Sequence, residues 1–331
     1  MTHNNSPLLR VNNLSVKFPL YARGSMPWTR PRQLQAVDAV SFDLYQGETL
    51  GIVGESGCGK STLARAIMRL IPAEHGTAVW KGQQDLLSID RKALQLLRRD
   101  LQMIYQDPLA SLNPRMTIGQ IIAEPLTTHF PKTDTSEVNQ RVKQTMQTVG
   151  LLPNQINRYP HEFSGGQCQR IGIARALILH PQLIICDEPV SALDVSIQAQ
   201  VINLLMQLQQ ELGMSLIFIA HDLSVVRHIS QRVMVLYLGH VVEIADADTL
   251  YKNPLHPYTR ALISAVPVPD PERQHDKPLL LLEGELPSPM DPPSGCVFRT
   301  RCPQAQAICS EQKPLQKTLA GGHTVACHFV G

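Results

Sequence analysis

The segment Gly54-Glu55-Ser56-Gly57-Cys58-Gly59-Lys60-Ser61 carries the most specific chemistry in the chain. It satisfies G-x-x-x-x-G-K-[ST], a spacing made for phosphate. Small residues let the backbone curl so that successive N–H groups face a β-phosphate, beside a helix N-terminus that favours anions. Lys60 supplies a point charge for the β and γ oxygens, Ser61 offers its hydroxyl to Mg2+, and Thr62 leads on into the helix. A second set ends the apolar run Leu183-Ile184-Ile185-Cys186. There Asp187 is placed to hold a magnesium shell and Glu188 to polarise an attacking water. An acid at a strand end is weak alone; downstream of a phosphate loop it gains meaning. The third set is Phe163-Ser164-Gly165-Gly166-Gln167. Ser164 and Gln167 form a capping box, which helix stability alone would explain. Two glycines beside a helix N-terminus go further, because they leave backbone N–H groups open to a second phosphate contact.

These residues need elements to hold them. Thr49 to Val53 reads as a short apolar strand, followed by the glycine turn and a helix from about Ser61 to Leu70. Leu9 to Phe18 and Val37 to Leu44 alternate as a strand pair, with Tyr21 to Gln33 as a loop insertion between them. Residues 90 to 160 read as a mostly helical insertion, with Pro108, Pro114, Pro125, Pro131 and Pro153 marking breaks. Leu183 to Cys186, Leu216 to Ala220 and Val233 to Tyr237 are apolar runs separated by helical segments, Ser196 to Leu212 and Leu223 to Ser230. Such runs are the pattern of buried parallel strands, so the fold class is α/β.

The chain has 331 residues, 43% of them apolar, enough for one large core and an appendage. A net charge of +2 argues against a nucleic-acid binder working through a broad basic field. No run reaches the ~18 apolar residues of a membrane span, and Met1 to Pro7 lacks a secretory pattern, so a cytosolic location is expected. Cys58, Cys168 and Cys186 stand beside the nucleotide motifs, whereas Cys296, Cys302, Cys309 and Cys327 crowd the tail. In a reducing compartment such a cluster suggests metal binding before disulfides.

With the Phe163 to Gln167 segment the chain resembles the ABC ATPase family, whose signature sequence this is. The resemblance implies that the signature faces nucleotide held by a partner subunit, so that two chains close around two ATP molecules. Further positions follow the same pattern. Gln106, after the run Leu101 to Tyr105, fits the glutamine that senses magnesium and contacts membrane subunits. Ser191-Ala192-Leu193-Asp194 fits the loop through which paired ATPases communicate, and His221 fits the switch histidine at the γ-phosphate. An aromatic, Phe18 or Tyr21, is expected against adenine. The implied fold is a P-loop NTPase of the ABC type: a mixed-sheet core, an antiparallel β subdomain and a helical subdomain.

Within that family the chain is similar to ATP-binding subunits of the oligopeptide permease type. The resemblance rests on Gln106-Asp107-Pro108 with Ser111-Leu112-Asn113-Pro114-Arg115, and on Arg158-Tyr159-Pro160-His161-Glu162-Phe163. Asn253-Pro254-Leu255-His256-Pro257-Tyr258-Thr259 and Gly284-Glu285-Leu286-Pro287-Ser288-Pro289 complete it. It implies an ATPase domain over residues 8–258, a helical subdomain over about 106–180, and a Pro-rich extension over 259–331. It also implies a related second ATPase as heterodimer partner, two transmembrane permease subunits and a periplasmic peptide-binding protein. The chain would then lie at the cytoplasmic face of the bacterial inner membrane. Relatives import dipeptides, glutathione or nickel, which are the alternative cargoes.

The tail cysteines are spaced C-x5-C-x6-C-x17-C, a poor match to a zinc ribbon. Four thiolates also hold [4Fe–4S] clusters, and relatives in the peptide-permease group carry a similar pattern at cluster sites. A cluster is the first expectation and zinc the second, with His323 and His328 as spare ligands. A metal would staple a tail that buries too little apolar surface to order itself. Other classes fit less. Soluble ABC ATPases of DNA repair or translation carry coiled coils or two ATPase halves, and exporters are fused to membrane helices. A P-loop kinase or GTPase leaves Phe163 to Gln167 and His221 unexplained.

Overall fold

The structure, a computed structural model, describes residues 6–21, 31–266, 280 and 282–330. The chain forms two compact units: Met1–Leu44, Leu50–Ser88 and His221–Gly331 in one, Tyr45–Thr49 and Ile89–Ala220 in the other.

The first unit opens with β1 (Leu9–Leu20) and β2 (Arg32–Leu44), antiparallel from Leu9 opposite Leu44 to Leu20 opposite Arg32. Both strands run further than their apolar alternation, because backbone pairing continues past the buried face through Lys17, Phe18 and Pro19. Residues 22–30 of the expected insertion lie outside the described residues. β3 (Thr49–Val53) is buried at every position, as its apolar sequence requires. It leads through the glycine turn into α1 (Lys60–Ile67), which ends earlier than expected because Arg69 takes a left-handed backbone with φ 50°. β4 (His75–Trp80) pairs with β1, and β5 (Gln84–Asp85) with β4, completing a four-stranded antiparallel sheet.

The second unit begins with α2 (Arg91–Leu97), capped by the Asp90 carboxylate, and β6 (Leu101–Ile104). Two longer helices follow, α3 (Ile118–His129) and α4 (Thr135–Thr148). Here one expectation is corrected: Pro125 does not break the chain but sits inside α3. The lost backbone bond is offset by a Thr117–Gln120 capping box and by the buried face Ile118, Ile121, Ile122 and Leu126. α5 (Gly165–Leu177) carries its own capping box, Ser164 with Gln167, and leads to β7 (Leu183–Asp187), α6 (Val195–Leu212) and β8 (Ser215–Ile219). β6, β7 and β8 run parallel in that order, and both β7 and β8 are wholly buried. α6 stops at Gly213, left-handed at φ 62°.

The chain then returns to the first unit with α7 (Leu223–Ile229), β9 (Arg232–Tyr237) and β10 (His240–Asp246). β9 lies parallel to β3 and antiparallel to β10, so this sheet is mixed. After α8 (Ala247–Lys252) and α9 (Pro257–Ser264), the tail forms α10 (Ala307–Glu311), β11 (Lys317–Thr318) and β12 (Thr324–Val325). β12 extends the sheet beyond β10, placing Val325 opposite Glu243.

The tail also corrects the expectation that it has too little to bury. Phe298 is 1% exposed and packs its ring against Tyr237, Tyr258 and His256 at centroid distances of 5.2, 5.4 and 5.5 Å. Burial of one such ring contributes roughly 1.5–3 kcal/mol. A buried hydrogen-bond hub adds direction: Glu243 receives Leu255 N–H at 2.8 Å and His256 N–H at 2.9 Å, and its Oε1 lies 2.7 Å from His323 Nε2. Among the described residues no helix is long and apolar enough to cross a membrane.

Candidate nucleotide site

The phosphate loop is built by backbone conformation. Gly54, Gly57 and Gly59 have φ of 154°, 79° and 102°. A Cβ at Gly54 would strike the Leu236 carbonyl oxygen, and one at Gly59 the Ala36 carbonyl oxygen. Glycine is therefore required there twice over, by torsion and by space. Lys60 opens α1, is 4% exposed, and donates from Nζ to Gly54 O at 2.8 Å and Glu55 O at 3.1 Å. Its charge is thus fixed by the carbonyls of the loop it serves. Burial pushes the Cys58 thiol up, so this cysteine fills space as a neutral group. Ser61 and Thr62, both half-buried, continue the first turn.

Sequence reasoning missed two residues tied to this loop. The Glu55 N–H donates to the Tyr258 hydroxyl at 3.0 Å, and the Glu55 carboxylate lies 3.0 Å from Arg301 Nη1 through both oxygens. They stand 203 and 246 residues away, and no spacing rule connects them to the motif.

In the second unit, Asp187 is fully buried at the end of β7. Glu188 follows with φ 49°, a backbone that a non-glycine residue adopts at a cost of about 1–3 kcal/mol. Its N–H is held by Ile219 O at 3.0 Å on the neighbouring strand. Gln106, exposed just past β6, donates from Nε2 to Glu188 Oε2 at 2.9 Å. The adjoining parallel strands β6 and β7 bring these two side chains together. The segment beyond Gln106 is anchored too, because Arg175 of α5 donates to Ser111 O at 2.6 Å.

The signature glycines divide in role. A Cβ on Gly166 would collide with the Ile197 side chain of α6, so this glycine has a packing reason. On Gly165 it would meet only Leu193 at 3.6 Å, and Gly165 is exposed. Ser191 Oγ donates to Glu188 O at 3.1 Å, while Asp194 immediately precedes α6. His221 is exposed, directly before Asp222, whose carboxylate caps α7. Phe18 is half-buried on β1 opposite Leu34, and Tyr21 is 65% exposed past the strand end.

In the tail, Cys296 N–H donates to Cys309 O at 2.8 Å. Burial, and then the neighbouring Cys309, Cys302 and Cys327, push the Cys296 thiol up to about 11. Burial with Cys327 and Cys309 raises Cys302 likewise. Yet among the described residues no group of three or more His, Cys, Asp or Glu side chains is arranged to hold a metal ion. The spare histidines are engaged elsewhere, His323 with Glu243 and His328 Nε2 with Gln312 O at 3.0 Å. The zinc expectation therefore finds no ligand set here.

A strand–loop–helix phosphate cradle, a strand ending Asp-Glu and a doubly glycine-led helix define an α/β P-loop nucleoside triphosphatase of the ATP-binding-cassette type. The family model described as "ABC transporter" matches residues 37–191, and "Oligopeptide/dipeptide transporter, C-terminal region" matches 242–309. The chain belongs to the ABC transporter family. It is 62% identical to "Oligopeptide transport ATP-binding protein OppF" of Escherichia coli (strain K12), across 99% of this chain and 97% of the relative. It is 53% identical to "Oligopeptide transport ATP-binding protein AppF" of Bacillus subtilis (strain 168), across 98% of each. A solved dimeric, post-hydrolysis ATP-binding cassette bound to ADP and Pi superposes with a TM-score of 0.63 at 26% identity, covering 72% of this chain and 98% of that one.

Proposed function

We propose that this chain is the ATP-binding subunit of an ABC importer and couples ATP hydrolysis to oligopeptide uptake across the bacterial inner membrane. The observation that carries the reading is end-to-end similarity to oligopeptide transport ATP-binding proteins, extending through the tail. The chain works with membrane permease subunits and a peptide-binding protein, and sits peripherally at the cytoplasmic face. Two finer readings follow from the resemblance: the second ATPase is a related but different chain, and the ATPase domain spans 8–258 with the extension at 259–331.

The resemblance assigns each motif its part of the chemistry. The loop N–H groups from Gly54 to Ser61 and the Lys60 ammonium bind phosphate oxygens. The resemblance implies Ser61, Asp187 and Gln106 as oxygen ligands for Mg2+, which would neutralise phosphate charge when bound. The buried Asp187 carboxylate suits a divalent cation better than it suits solvent. Glu188 accepts the proton of the attacking water, and the Gln106 amide holds its carboxylate. His221 stabilises the transferring phosphoryl group, and Ser164, Gly165, Gly166 and Gln167 serve the partner's nucleotide.

The test is uptake of a labelled tetrapeptide by cells whose chromosomal copy carries Glu188→Gln. Loss of uptake with amino-acid uptake preserved supports the reading. Undiminished uptake moves the function to dipeptides, glutathione or nickel.

A second reading concerns the tail. It rests on the resemblance to the peptide-permease group alone: a [4Fe–4S] cluster on Cys296, Cys302, Cys309 and Cys327, although among the described residues no such group is arranged to hold a metal ion. Anaerobic purification followed by iron and acid-labile sulfide analysis tests it, and absence of both removes it.

A further inference from the structure

Glu55 is an awkward residue for a phosphate loop. It places a carboxylate beside N–H groups that must receive a polyanion, and like charges brought together weaken binding. The loop tolerates it through contacts that come from the far end of the chain. Arg301 Nη1 lies 3.0 Å from both Glu55 carboxylate oxygens. The Arg301 side chain is 11% exposed and the Glu55 side chain 28%. The guanidinium rests over the Tyr237 ring, 6.0 Å from its centroid. The Tyr258 hydroxyl accepts the Glu55 N–H at 3.0 Å. Tyr258 is itself fully buried, with its ring 4.7 Å from Tyr237 and 5.4 Å from Phe298. Backbone and charge of one loop residue are thus both fixed by residues outside every nucleotide motif.

The geometry points to Arg301 as a positioning residue of the nucleotide site: it neutralises and holds the Glu55 carboxylate so that the phosphate loop accepts ATP, with Tyr258 fixing the backbone beneath. The C-terminal extension is then part of the nucleotide-binding apparatus and not merely an appendage to it. This inference rests on the nucleotide-binding reading of the loop given above.

The experiment is equilibrium binding of MgATP to the full-length chain, with Lys60→Ala as the control for the loop itself. If the natural chain does not bind MgATP, the nucleotide reading falls. If it binds, Arg301→Gln is expected to raise Kd about tenfold, because a carboxylate left without its partner opposes the incoming phosphates. Adding Glu55→Gln to Arg301→Gln is expected to restore affinity, which a merely structural role for Arg301 would not do. An unchanged Kd in Arg301→Gln, or a loss that Glu55→Gln does not recover, overturns the inference. Should Arg301→Gln fail to fold, Glu55→Gln in the natural chain decides: severalfold tighter binding is expected, and weaker binding overturns it.

Discussion

Gln106 and Glu188, 82 residues apart in sequence, meet at 2.9 Å through the amide nitrogen of one and the carboxylate of the other. The bond engages Glu188 through Oε2. It also holds a residue whose backbone is left-handed.

Replacing Glu188 by Gln keeps the size and the contact with Gln106 but removes the proton acceptor. ATP turnover is expected to fall by about 10²–10⁴-fold while MgATP affinity stays near that of the natural chain. Phosphate-release kinetics beside a binding isotherm check this. Near-normal turnover would remove Glu188 from the base role.

Lys60→Ala deletes the buried ammonium that donates to Gly54 O and Glu55 O. The loop then loses both its point charge and an internal brace. A charge-assisted bond of about 1.5–3 kcal/mol corresponds to MgATP affinity lower by about tenfold or more. Calorimetric titration checks it, and undiminished affinity would contradict the assigned role.

Glu243→Ala leaves Leu255 N–H, His256 N–H and His323 Nε2 without their shared, fully buried acceptor. A loss of about 1–3 kcal/mol in stability is expected, the cost of leaving buried donors unsatisfied. Hydrogen exchange should show β12 and the Asn253–Tyr258 segment opening first. Protection unchanged at both places would count against a clamp.

The pH dependence has a defined sign. Burial, aided by Arg260, pushes His256 down to about 3, whereas an unfolded histidine titrates near ~6.5. Between these values the unfolded chain binds a proton that the folded chain refuses. Stability from this group is therefore full above about pH 6.5 and declines as pH falls, by about 1.4 kcal/mol per unit. His240, pushed down to about 4 by burial and Lys313 against the opposing pull of Asp38, acts in the same sense. His256→Asn, which can keep the cap on Tyr258 N–H, is expected to flatten its share of the slope in urea unfolding at stepped pH. A difference between variant and natural chain that does not vary with pH would refute it.

Where a local rule was sufficient, the sequence was readable. The glycine turn before Lys60, the capping box Ser164 to Gln167, and the buried runs ending at Asp187 and Ile219 each follow from neighbours within a few residues. Pro125 misled for the opposite reason. A proline weakens a helix locally, but the buried face of α3, set by distant partners, outweighs that cost. The tail misled likewise, because its sparse apolar residues suffice once Phe298 shares a core with Tyr237 and Tyr258.

The sequence by itself determined the phosphate cradle, the acidic strand end and the α/β class, because torsion, charge and burial pattern act over short spans. Only the tertiary structure decided that Gln106 reaches Glu188, that Gly166 makes room for Ile197, and that Arg301 and Tyr258 reach back to Glu55. Those contacts depend on which strands become neighbours and how the tail returns. Strand order and chain reversal are set by the summed burial of the whole core, which no local spacing encodes.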